Sequence, residues 1–226
     1  MSVRIFNPFV LVTTCALALA GLPAAAIDGV VLIDQNRALA GAVTPGDVAG
    51  FPISINQPGS YRLSGTLTVP AGLNGIEINV DGVTLDLNGF VINGPGAFPN
   101  GSFSAVAGTD RQRISVANGG VAGFVVGLSF VGNARFIRLE KLHIDANTTT
   151  AAGGAVGGLA AFVGVNRSSY ALIDNVQAIG QIHITCPGLI RNTVASVVET
   201  NVPPNGSGVS FPTNCKADNF FNAPLN

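Results

Sequence analysis

Short runs in which apolar and polar residues alternate, punctuated by single asparagines, set the strongest limit on what this chain of 226 residues can fold into. Thr66-Leu67-Thr68-Val69, Gly75-Ile76-Glu77-Ile78-Asn79-Val80 and Val83-Thr84-Leu85-Asp86-Leu87 each carry the period-two pattern of a half-buried strand. Phe136-Ile137-Arg138-Leu139-Glu140 and Leu142-His143-Ile144-Asp145 repeat it. A short grammar then recurs, an apolar strand, Asn, and a second apolar strand, around Asn88, Asn118, Asn175 and Asn192. Lys141 takes the place of Asn in the segment between Asn118 and Asn175. The intervals of 30, 23, 34 and 17 residues are irregular. Insertions at Asn93 to Asp110 and at Ala146 to Gly158 account for the two long ones, and subtracting them brings the spacing towards the ~20 residues of a stacked parallel coil.

The coil explains the asparagine. A sharp bend between two strands puts one residue in the left-handed region, which Asn and Gly tolerate and branched side chains do not. Stacked bends also let Asn amides hydrogen-bond in a ladder. Asn-Gly is equally a hairpin signal, so an antiparallel sandwich accounts for Asn88 and Asn118, though not for Asn175 followed by Val or Asn192 followed by Thr. Asn88 is out of step by one position against the other repeats. The 29 glycines argue against a helical domain. The expected fold is all-β: a single-stranded right-handed parallel β-helix, a solenoid of about six coils.

Residues 1–26 have the basic start, the apolar run Pro8 to Leu22 and the small-residue end Pro23-Ala24-Ala25-Ala26 of a cleaved signal peptide. Export to the periplasm, cell surface or medium follows, with no stable membrane insertion after cleavage, because the run is shorter than the roughly 20 residues a bilayer needs. Cys186 and Cys215 then form a candidate disulfide. The stretch 201–226 reads as a C-terminal cap or tail over the last coil. A net charge of -1 with only 10% charged residues leaves no field to attract nucleic acid.

Ile33-Asp34-Gln35-Asn36-Arg37-Ala38, Val43-Thr44-Pro45-Gly46-Asp47, Gly50-Phe51-Pro52-Ile53, Gln57-Pro58-Gly59-Ser60-Tyr61-Arg62-Leu63 and Val83 to Phe90 together resemble the start of a group of exported bacterial proteins. These are right-handed parallel β-helix repeat proteins with a pectin-lyase-like fold. The resemblance covers Ile33 to Ile92 and implies an N-terminal capping segment, 27–60, leading into the helix, 61–200. It implies little about activity, because the fold hosts many chemistries.

Hydrolases of that fold carry Asn-Thr-Asp, Asp-Asp, Gly-His-Gly and Arg-Ile-Lys motifs, and this sequence has none of them. Lyases of that fold need acidic calcium ligands and an arginine base on one outer sheet face. The candidates here are Asp81, Asp86, Glu140, Asp145 and Asp174, with Arg138 and Arg191. Stacking at ~4.8 Å per coil could bring Asp86, Glu140 and Asp174 together, where they would repel unless a cation such as calcium sat between them. The alternative is an ordinary solvated face. His143 and Asp145 lie two apart on one strand and project from the same face, so His143 is a candidate base. No metal-ligand spacing links His143, His183, Cys186 and Cys215, and no cofactor is expected outside the calcium of a lyase. The chain has no Trp and only two Tyr, which argues against a strong sugar-stacking site. The expectation is therefore a non-catalytic surface or polysaccharide-associated scaffold, with a small pectate-lyase-like or glycoside-hydrolase-like enzyme acting on acidic polysaccharide as the alternative.

Overall fold

The computed structural model describes residues 29–98, 103–146, 148–150, 155–156, 159–163, 170–184, 188–195, 197–200 and 215–222. The expected signal peptide, Cys186 and most of the expected C-terminal cap lie outside them. Among the described residues no helix is long and apolar enough to cross a membrane.

The described chain is mostly strand and its sheets are mainly parallel. A ten-stranded sheet holds Val30–Ile33, Gly59–Leu63, Val83–Asp86, Gln112–Ala122, Arg135–Asp145, Ala171–Ile179, Gly188–Ala195 and Cys215–Asn222 in that spatial order, with Leu67–Thr68 and Val91–Asn93 beside them. A seven-stranded sheet runs Ile53–Ile55, Ile76–Ile78, Ser104–Thr109, Val126–Val131, Leu159–Val163, Gln181–Ile184 and Val197–Thr200. From Gln112 to Cys215–Asn222 the chain passes alternately between the two, interrupted once, after Arg135–Asp145, by Thr148–Thr150 and Ala155–Val156. Parallel neighbours separated by a passage through another sheet exclude hairpins at the Asn corners. Asn118 lies within one continuous strand, and the three strands paired with it all run parallel to it.

Alternation puts every second side chain into the interior, and stacking in register turns those side chains into columns. In the larger sheet Tyr61, Leu85, Val116, Leu139, Ile173 and Ile190 follow one another, each 3% exposed or less. In the smaller sheet Ile53, Ile76, Val106 and Leu128 do the same with no exposure. Each buried Ile or Leu contributes about 1.5–3 kcal/mol relative to exposure, so these columns hold the stack together.

The two long intervals are built differently from their expectation as plain insertions. Asn93 to Asp110 contains Ser104–Thr109, a regular member of the smaller sheet. Its remaining piece, Ala97–Phe98, pairs with Thr148–Thr150, which in turn pairs antiparallel with Ala155–Val156. The insertions therefore find each other and make a third sheet of three strands.

At the N-terminal end, side chains occupy the places where a further strand would bond. The Ser54 N–H donates to Asp47 Oδ1 at 2.7 Å, and the Ser54 carbonyl accepts from Thr44 Oγ1 at 2.7 Å. The Leu32 carbonyl accepts from Arg37 Nη1 at 3.0 Å. Gln35 bonds both ways to the Thr68 backbone, accepting its N–H at 2.8 Å and donating to its carbonyl at 3.2 Å. Gln35 and Arg37 are delivered by the short helix Gln35–Ala40, whose N-cap Asp34 accepts the Arg37 N–H at 2.8 Å. Satisfied edges of this kind do not recruit a foreign strand.

Candidate functional site

The outer face of the larger sheet is framed by two columns of left-handed residues. One contains Asn88, Asn118, Lys141, Asn175 and Asn192, with φ between 48° and 62°. Strand register places Asn118, Lys141, Asn175 and Asn192 one above another. The other column, five positions earlier in three of the coils, contains Arg113, Phe136 and Tyr170 at φ 55°, 56° and 45°, with Gly82 at 73° one rung before them.

The Asn88 irregularity has a physical origin. Asp86 stands opposite Ala117 while Val91 stands opposite Gly120, so Leu87-Asn88-Gly89-Phe90 spans the same corner as Asn118-Gly119. The wider corner needs two left-handed residues, Asn88 at 52° and Gly89 at 79°. It also crowds the next coil: a Cβ on Gly119 would sit 2.4 Å from Leu87 Cβ and 2.6 Å from the Phe90 carbonyl oxygen.

Between the two columns lie the predicted carboxylates. Register runs Arg62, Asp86, Ala117, Glu140, Asp174, Arg191 along one outward column. Glu140 and Asp174 are therefore direct neighbours, as stacking predicted, while Ala117 separates Asp86 from Glu140. The countercharge on this face comes from arginine. Arg62 Nε is 3.0 Å from Asp86, Arg138 Nε 2.6 Å from Glu140 and Arg191 Nη2 2.7 Å from Asp174. Among the described residues no three His, Cys, Asp or Glu side chains gather where they could hold a metal ion.

These partners act on the acids. Burial pushes the Asp86 carboxyl up, but the Asn88 N–H at 2.9 Å, the Asn118 amide at 3.2 Å and the Arg62 guanidinium outweigh it and hold the group below the usual aspartate range. The Arg191 guanidinium and the Asn192 amide, which donates at 3.0 Å, hold Asp174 down in the same way. Arg138 and Arg191 are raised by Glu140 and Asp174. The corner amides thus bond to carboxylates where an Asn ladder was expected. Asn118 donates to Asp86 and Asn192 to Asp174, each one coil away, while Asn88 donates to the Leu63 carbonyl at 3.2 Å. An Asn pair does stack elsewhere: Asn79 donates to Asn56 Oδ1 at 3.0 Å, both just past the strands Ile76–Ile78 and Ile53–Ile55.

His143 and Asp145 project from the same outward face, but beyond the Lys141 corner and out of the acid column. The register neighbours of His143 are Gly120 and Gln177, so no carboxylate stands beside it on either adjoining strand. Asp81 accepts the Gln112 N–H at 3.0 Å and lies 4.0 Å from Arg113, a corner-holding role. Two shallow clefts adjoin along the first column. One of about 400 Å³ is lined by Glu140, Lys141, Asp174, Asn175 and Asn192, the other, of about 280 Å³, by Lys141, Leu142, His143, Asn175, Gln177 and Gly119.

The second column holds what the sequence reading missed. Phe136 and Tyr170 are 51% and 49% exposed and stack with centroids 5.5 Å apart at 19°. The Arg135 guanidinium carbon lies 5.9 Å from one ring and 5.5 Å from the other. Tyr61, by contrast, is 3% exposed and donates its hydroxyl proton to the Gln57 carbonyl at 2.7 Å, and burial raises its pKa. Counting back five positions from Lys141 and Asn175 lands on Phe136 and Tyr170, so the same repeats carried the signal. The chain finds no match among protein-family models, curated proteins or solved structures.

Proposed function

We propose that this chain is an exported, non-catalytic, polysaccharide-associated scaffold, built as a single-stranded right-handed parallel β-helix of about six coils with a cap at each end. Strands that pass alternately between two parallel sheets, in register over many rungs, support the helical winding. The side chains bonded to the free strand edges around Ser54, Leu32 and Thr68 support the N-terminal cap.

One observation carries the functional reading. Asp86, Glu140 and Asp174 are each held by a guanidinium at 2.6 to 3.0 Å, and Asp86 and Asp174 titrate below the ordinary carboxylate range. A general acid or base works best with its pKa near the working pH, and these two groups are moved away from it. The face that would carry lyase chemistry is occupied by an arginine–carboxylate network of the kind that makes a rigid surface. The two clefts beside it are lined by amides, an ammonium and an imidazole together with the arginine-paired Glu140 and Asp174 carboxylates, hydrogen-bonding groups suited to hydroxylated polymers.

The test is incubation of purified protein with pectin, polygalacturonate and alginate, with and without calcium, followed by assay of unsaturated and reducing ends. No release above the blank is expected. Release that depends on Glu140 or His143 would establish the alternative, a small lyase or hydrolase.

A further inference from the structure

We infer that the Arg135, Phe136 and Tyr170 corner is a binding ledge for an acidic sugar unit, a deepening that rests on the polysaccharide-associated reading above. The backbone supplies the first argument. This column requires left-handed residues, and Gly82 meets that requirement without strain. Bulky side chains at positive φ are outliers, and strained positions persist where something else holds them in place. Phe136 and Tyr170 nevertheless sit there, one above the other, with about half of each residue open to solvent.

Charge supplies the second argument. Arg62, Arg138 and Arg191 are each paired with a carboxylate within 3.0 Å. Among the described residues Arg135 has no carboxylate partner, and its buried Nε has no hydrogen-bond acceptor. Its guanidinium lies against both rings, which leaves a planar cation positioned beside an aromatic ledge. A pyranose offers C–H bonds to an aromatic surface, and a uronic acid adds a carboxylate that a guanidinium fork can bind with two hydrogen bonds. On the rung before, Arg113 is 64% exposed at its side chain and meets Asp81 at the long distance of 4.0 Å, so a second, loosely paired cation extends the ledge along the stack.

Affinity electrophoresis in native gels containing polygalacturonate, or dextran as its neutral counterpart, tests this on the whole protein. Wild type is expected to be retarded by polygalacturonate and to a lesser degree by dextran. The double variant Phe136→Asn/Tyr170→Asn, which suits a left-handed backbone, should weaken retardation by about tenfold while the thermal midpoint holds or rises, as loss of one ring platform and its cation contact and relief of two strained positions imply. Arg135→Gln, which keeps both rings and both backbone positions, should remove the preference for the acidic polymer. Retardation that survives both variants would sink the ledge and leave polysaccharide association standing. No retardation in either gel would remove both readings. A fall in the midpoint with retardation unchanged would return the aromatic pair to the fold.

Discussion

The two left-handed columns flanking the outer face of the larger sheet meet one backbone demand with opposite chemistry. In the first, four of five residues are asparagines, which tolerate φ near 50°, and Asn88, Asn118 and Asn192 use their amides to bond a carboxylate or carbonyl of the neighbouring coil. In the second, Arg113, Phe136 and Tyr170 occupy the same backbone region with side chains that resist it. A left-handed bulky residue costs about 1–3 kcal/mol, and one stacked aromatic pair returns about 0.5–1.5 kcal/mol, so two strained positions are not fully offset by the ring contact. The first column is fitted to the fold, and the second carries a load that the fold alone does not require.

A variant distant from both columns sets the scale. Asp47→Ala strips the acceptor from the Ser54 and Val43 N–H groups and should cost about 3 kcal/mol in urea unfolding, from two orphaned donors at about 1–3 kcal/mol each. A loss under 1 kcal/mol would mean that water replaces the cap. Within the first column, Asn118→Val places a branched side chain at φ 62° and removes the bond to Asp86, with an expected loss of about 2–3 kcal/mol by the same measurement. If Asn118→Val cost no more than Phe136→Asn, the two columns would be equivalent and the comparison would fail. Gly119→Ala should cost about 1–3 kcal/mol, because its Cβ collides with Leu87 and Phe90. Lys141→Asn should stabilise by about 0.5 kcal/mol, since Lys141 is the residue of the first column least suited to φ 50°.

The pH profile separates the columns as well. Asp86 and Asp174 have folded-state pKa values below the unfolded one, so their stabilisation is present above the unfolded aspartate pKa of about 3.9 and is lost as pH falls through the folded values. Thermal midpoints of the wild type should fall on acidification below about pH 4, and Asp174→Asn should flatten that fall. Arg135→Gln, beside the second column, should leave the slope unchanged. An identical slope in wild type and Asp174→Asn would show that the acid column contributes nothing to acid lability.

Much of the local structure was legible in the residues. Alternation identified the strands around Ile76, Val83 and Ile137, and the recurring Asn marked left-handed corners, because few other residues accept that backbone. Their spread of about one acid per coil suggested that stacking could bring Asp86, Glu140 and Asp174 together. What the sequence could not reveal was the partner of each group. Arg62 reaches Asp86 from 24 residues away and Arg191 reaches Asp174 from 17 away, and these distances in sequence become contacts only through stacking. His143 and Asp145 share a face as alternation requires, yet the Lys141 corner turns that face away from the acids.

By itself the sequence determined a parallel-compatible, strand-dominated chain with apolar interior columns and asparagine corners, since side-chain period and left-handed tolerance are properties of residues taken a few at a time. The tertiary structure decided register. It made the Asn88 corner wide enough to demand Gly119, set Ala117 between Asp86 and Glu140, turned Arg62 and Arg191 into counterions of the acid face, and brought Phe136 onto Tyr170 across 34 positions of chain. The physical reason is that a parallel coil bonds each residue to one a whole turn away, and the irregular length of each turn is set by how the insertions pack, which no short stretch of residues specifies.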